Sequence, residues 1–187
     1  MTAPSLPLDA GPVLLALARS AIARALGAAA GAVSDAPWLK TPGATFVTLT
    51  KAGALRGCIG SLEARRALID DVQANAVAAA LRDPRFPVLV TGELPAIEVE
   101  VSLLSPTAAV AFRDEEDALA QLRPGIDGVI FEYGHHRSTF LPQVWEQFGG
   151  PVEFMGHLKH KAGLPPDFWD PSVKLSRYAV TQWRESD

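Results

Sequence analysis

The hexapeptide Leu55-Arg56-Gly57-Cys58-Ile59-Gly60 holds the residues of this 187-residue chain best suited to chemistry. In an extended segment alternate side chains share a face. That puts Arg56, Cys58 and Gly60 on one side and Leu55, Gly57 and Ile59 on the other. Two glycines weaken a strand, so they mark a bulge or the close approach of another backbone or a ligand. A guanidinium two residues from a thiol lowers the thiol pKa and favours the thiolate. The same pair can instead hold an anion, with Arg56 as the fork donor. The plainer alternative is strong, since an unpaired cysteine commonly behaves as a small core hydrophobe.

Two further residues belong with this segment. Asn75 falls in the apolar stripe Leu68–Val72–Asn75–Ala79, where helical spacing buries it. An unpaired buried amide costs about 1–3 kcal/mol, so it needs partners, and the exposed peptide groups around Gly57 or Gly60 are candidates. It then acts as a structural strut or as a ligand contact. Arg85 follows a helix end in the rigid loop Asp83-Pro84-Arg85-Phe86-Pro87. It either pairs with an acid such as Asp83 or sets a second guanidinium near Arg56, which would suit a carboxylate or phosphate.

Other signals resemble chemistry less. His135 and His136 are adjacent in an expected hairpin turn, and neighbours on an extended segment point apart. His157 and His160 share a helix face, but two ligands are an incomplete metal site. Glu98 and Glu100 share a strand face and read as a solvated sheet surface. There is no Gly-Xaa-Ser-Xaa-Gly elbow, Walker loop or dinucleotide fingerprint, so no cofactor and no metal are expected.

The elements that must position these residues follow from pattern. An amphipathic helix is expected over 10–28, then a linker to Gly43 anchored by Trp38. Thr45–Thr50 and Ala54–Gly60 form a β-hairpin. A helix over 65–81 ends at Asp83-Pro84, because the residue before proline avoids helical geometry. Ile97–Leu103 alternates apolar and polar residues as a half-buried strand does. Asp114 caps a short helix to about 122. Strands follow at 129–133 and 138–141, helices at 142–148 and 151–162, and a last extended segment at 173–183. Antiparallel hairpins mixed with helices, without regular βαβ alternation, predict an α+β fold. One domain over 10–184 is expected, with 1–9 and 185–187 as tails.

Composition bounds the function. The chain is 48% hydrophobic and 20% charged, enough apolar mass for a real core. Its net charge of −4 argues against a generic nucleic-acid or anionic-membrane binder. A single cysteine allows no internal disulfide and no multi-cysteine metal site. Arg19 and Arg24 interrupt the longest apolar run, so no membrane span or secretory signal is expected, and a cytoplasmic location is.

At LRGCIG the chain resembles the AMMECR domain family, also called AmmeMemoRadiSam system protein A. Further matches follow in family order. They are Asn75, Asp83-Pro84-Arg85-Phe86-Pro87, Val101-Ser102-Leu103-Leu104-Ser105-Pro106, Gly125-Ile126-Asp127-Gly128, the run from Thr139 to Trp145, and Lys161-Ala162-Gly163-Leu164. Together they span roughly 12–184. The resemblance implies two unequal subdomains built on antiparallel sheets. It also implies a system shared with a Memo-like protein and a radical S-adenosylmethionine enzyme. Many members carry a second cysteine where this chain has Lys159, so the likeness does not extend to a cysteine pair. The expected function is a non-catalytic binding or accessory module. Arg56, Gly57, Cys58, Gly60, Asn75 and Arg85 would line a pocket for a small anionic ligand or a partner segment. The alternative is an enzyme with Cys58 as nucleophile, His157 as base and Arg56 stabilising charge.

Overall fold

The computed structural model describes residues 6–187. Along the chain run α1 (Ala10–Ala25), β1 (Pro42–Gly43), β2 (Thr45–Lys51), β3 (Ala54–Gly60), β4 (Arg66–Ala67) and α2 (Leu68–Leu81). Then come β5 (Ile97–Leu104), β6 (Ala108–Val110), α3 (Glu115–Gln121), β7 (Gly128–Tyr133) and β8 (His136–Phe140). The last are α4 (Pro151–Lys161), β9 (Lys174–Tyr178) and β10 (Val180–Arg184). The fold is α+β with antiparallel sheets, as the pattern predicts. No helix among the described residues is long and apolar enough to cross a membrane.

The chain divides into two compact units, one running to Leu104 and including Thr181–Asp187, the other Ser105–Val180. In the first unit a sheet of order β10-β5-β2-β3 carries α1 and α2 on one face. Val47 and Leu49 of β2 and Val99 and Val101 of β5 are fully enclosed against these helices. The intervening Thr48, Thr50, Glu98 and Glu100 line the opposite face and remain part-exposed. Alternation thus does what a half-buried sheet requires. At Glu185 the chain is still held, since its backbone N–H donates to the Val99 carbonyl.

α2 begins at Leu68 rather than near 65, because Arg66 and Ala67 pair as β4 with Pro42 and Gly43 of β1. The expected linker therefore contains a short strand, and also a 3₁₀ turn at Pro37–Lys40 that buries Leu39. Pro142–Gln147 is likewise 3₁₀ rather than α-helical.

The second unit has a sheet of order β6-β9-β7-β8. Its core gathers Phe131, Phe154, Met155 and Leu158 around Trp145. Trp145 stacks on Phe154 with centroids 3.6 Å apart, and its indole N–H donates to the Asp127 carbonyl at 2.7 Å.

Candidate functional site

The hairpin β2–β3 turns through Ala52 and Gly53, both at positive φ, which is the turn twist that two-residue hairpins prefer. From the turn, Lys51 pairs with Ala54 and Thr50 with Leu55. The register then shifts, so that Leu49 pairs with Gly57 and Thr48 with Cys58. Arg56 is the extra residue of a β-bulge. The strict alternation expected for the hexapeptide is broken there, and Arg56 leaves the phase of Cys58. The shift lets Gly57 face inward opposite Leu49. A Cβ at Gly57 would lie 2.2 Å from the Ala79 carbonyl oxygen, so α2 packs on β3 at a distance only glycine permits. Gly60 is similarly covered by the Phe46 ring, 2.2 Å from where its Cβ would stand.

Cys58 follows Gly57 on the opposite, part-exposed face. Its sulfur accepts the Thr48 hydroxyl at 3.2 Å. Its backbone N–H donates to Asp83 Oδ2 at 2.9 Å, and its carbonyl accepts from Arg85 Nη2 at 3.3 Å. Asp83 and Arg85 thus take both outward-facing backbone groups that an edge strand would leave unpaired. Burial pushes the Cys58 thiol above its ordinary pKa. The Thr48 hydrogen bond and Arg85 oppose this, while Asp83 and Glu100 add to it. The guanidinium that acts on the thiol is therefore that of Arg85.

Both arginines are already engaged. Arg85 is held through Nε to Asp83 Oδ1 at 3.0 Å and through Nη2 to Oδ2 at 2.7 Å. The Asp83 side chain is buried and its carboxyl is held well below the usual range, chiefly by Arg85. Arg56 reaches both oxygens of Glu93 at 3.1 and 2.9 Å and the Pro87 carbonyl at 2.9 Å. The Glu93 carboxyl is lowered to about 2, first by Arg56, then by Lys51 and the Val90 N–H.

Asn75 is buried, as its place in the stripe predicts, and is fully used. Its amide donates to the Thr45 carbonyl at 2.9 Å and to Asp71 Oδ2 at 3.0 Å, and Arg66 reaches its oxygen at 3.3 Å. Asp71 also accepts the Thr45 N–H and hydroxyl, Ser61 Oγ and Arg66 Nε. This network ties α2 to the start of β2 and the end of β3, so Asn75 sets the backbone on which Cys58 is carried. His157 belongs to the second unit, where it stacks on Phe148 at 4.7 Å. Among the described residues no three His, Cys, Asp or Glu side chains are grouped to hold a metal ion.

Sequence reasoning missed Thr48, Glu93, Glu98 and Glu100 as members of this surroundings. Thr48 is hidden by the bulge, because an unbroken hairpin register would set it opposite Gly57. Glu98 and Glu100 share the Thr48–Cys58 face through the β2–β5 register, and Arg184 pairs with Glu100. Glu98 Oε1 is enclosed on that face without a hydrogen-bond partner.

The AMMECR1 family model matches residues 15–183. The chain belongs to the AMMECR1 family. A relative in Methanothermobacter thermautotrophicus is 43% identical over 142 residues, covering 75% of this chain and 74% of that protein. Another in Thermococcus gammatolerans is 36% identical over 187 residues, covering 94% and 90%. The crystal structure of the uncharacterized protein PH0010 from Pyrococcus horikoshii superposes with a TM-score of 0.82 at 34% identity, covering 94% of this chain and 91% of that one. The AMMECR1 hexapeptide of this chain is thus a bulged edge strand clasped by the Asp83–Arg85 pair.

Proposed function

We propose that this AMMECR1 chain is a non-catalytic binding protein, whose contact surface is the β2–β3–β5 face around Cys58. The occupant is a partner's polypeptide segment rather than a small anion. The observation that carries this is the state of the charges: both guanidiniums near the hairpin are spent on Asp83 and Glu93, while Glu98 Oε1 has no donor. An anion would have to displace Glu93 from Arg56, compete with Asp83 for the half-exposed Arg85, and approach Glu98 and Glu100. A segment offering N–H or cationic donors would instead meet the part-exposed side chains of Glu98 and Glu100, an acidic face that suits it. Burial pushes the thiol up against the opposing Thr48 hydrogen bond, which does not suit a nucleophile. The Memo-like and radical S-adenosylmethionine proteins implied by the family resemblance are the partners to try, in the cytoplasm. Capture of these two proteins by the wild type, Cys58→Ala and Glu98→Arg chains tests the proposal. Wild type and Cys58→Ala should capture equally, and Glu98→Arg should capture at least tenfold less while keeping its circular dichroism. Equal capture by Glu98→Arg and wild type would overturn it.

A further inference from the structure

The second unit contains a cleft of about 1150 Å³ between α3, α4 and the segment that follows α4. Its wall is mostly apolar, formed by Leu119 of α3, Val152 of α4 and Trp169 beyond it. Val152 is 75% exposed, an unpartnered apolar side chain on the first turn of α4. Five carboxylates and two imidazoles, those of His157 and His160, also face the cleft. Asp114 is occupied by the Asp117 N–H, Glu115 by the buried Lys159, and Glu153 by the Gly149 N–H. Glu116 and Asp167 have no hydrogen-bond or ion-pair partner among the described residues. Lys159 Nζ lies 5.4 Å over the Trp169 ring, which fixes that ring in the wall.

We infer that this cleft docks a basic amphipathic segment of a partner protein, an apolar side chain entering the wall and flanking lysines or arginines meeting Glu116 and Asp167. The volume lies at the upper end of the roughly 300–1,000 Å³ range of ligand pockets and has room for several side chains of a peptide. The apolar wall supplies the affinity of an anchored side chain, and a carboxylate rim steers a cationic partner while repelling nucleic acid and fatty-acid anions. The inference stands apart from the Cys58 face, since every cleft residue belongs to the second unit.

A random peptide library selected on the full chain tests it, with binding then measured on the wild type, Glu116→Lys/Asp167→Lys and Val152→Glu. Selected peptides should carry Lys or Arg around an apolar anchor and lose at least tenfold in affinity on either variant. Their Kd should rise with salt, and amide shifts on binding should fall in 114–119, 152–160 and 166–169. Absence of binders, enrichment without basic residues, or binders indifferent to both variants would overturn the inference. So would self-association of the wild type that Val152→Glu abolishes, since the cleft would then hold a second copy. Glu98→Arg should bind the selected peptides as the wild type does, which separates this test from that of the Cys58 face.

Discussion

Replacing Asp83 by asparagine strikes the clasp that holds the hexapeptide. Each carboxylate oxygen accepts two bonds: Oδ1 from Arg85 N and Nε at 3.1 and 3.0 Å, Oδ2 from Cys58 N and Arg85 Nη2 at 2.9 and 2.7 Å. Asparagine keeps one oxygen and turns the other into an N–H₂ group, so either orientation loses two bonds and sets donors against donors. A hydrogen bond to a charged group is worth about 1.5–3 kcal/mol, and the half-exposed Arg85 lowers its share. The total is about 2–4 kcal/mol, or a fall in Tm of roughly 4–16 °C for a chain of this size. Urea unfolding read on the first unit measures it. The Asp83 carboxyl is lowered in the folded state, so its contribution is fully present above the unfolded value near 4 and is lost as pH falls toward the depressed folded one. The gap between wild type and Asp83→Asn should therefore be constant above about pH 5 and narrow below about pH 4. A variant within about 0.5 kcal/mol of wild type at pH 7 would refute the clasp, since surface substitutions fall in that range.

Glu93→Gln should weaken the protein at neutral pH but not near pH 2, because the carboxyl holding Arg56 and Lys51 is lowered to about 2 and its contribution disappears as pH falls from about 4 through that value. Acid titration of stability for both proteins checks this. Gly57→Ala should cost about 1–3 kcal/mol or more by pushing α2 off β3, since the new methyl meets a backbone carbonyl at 2.2 Å. Denaturant melts read it directly. Asn75→Ala should cost about 2–4 kcal/mol, two buried donations being lost, and hydrogen exchange should show faster opening at Thr45 and Ser61.

The elements were legible where period and punctuation agree. The alternation from Ile97 and the proline after Asp83 each predict what the structure shows. β1 and β4 were not, because two-residue strands carry no periodicity and exist only through pairing. At the candidate site, the burial of Asn75 follows from its stripe, and the Asp83–Arg85 pair from proximity in a rigid loop. The partner of Arg56 was hidden, since Glu93 lies 37 residues away and no local rule joins them. The bulge was signalled by two glycines, but its place at Arg56 depends on Ala79 approaching Gly57, a tertiary contact. That one-residue shift decides which arginine stands beside the thiol.

The rate of alkylation of Cys58 in the native protein, followed against pH, bears most directly on whether the hexapeptide is a surface or a nucleophile. Burial, which the Thr48 hydrogen bond offsets only in part, predicts slower reaction than in the urea-unfolded chain, rising only above the ordinary thiol range. Fast native alkylation with a midpoint below that range would contradict the binding role and make Cys58 a working thiolate.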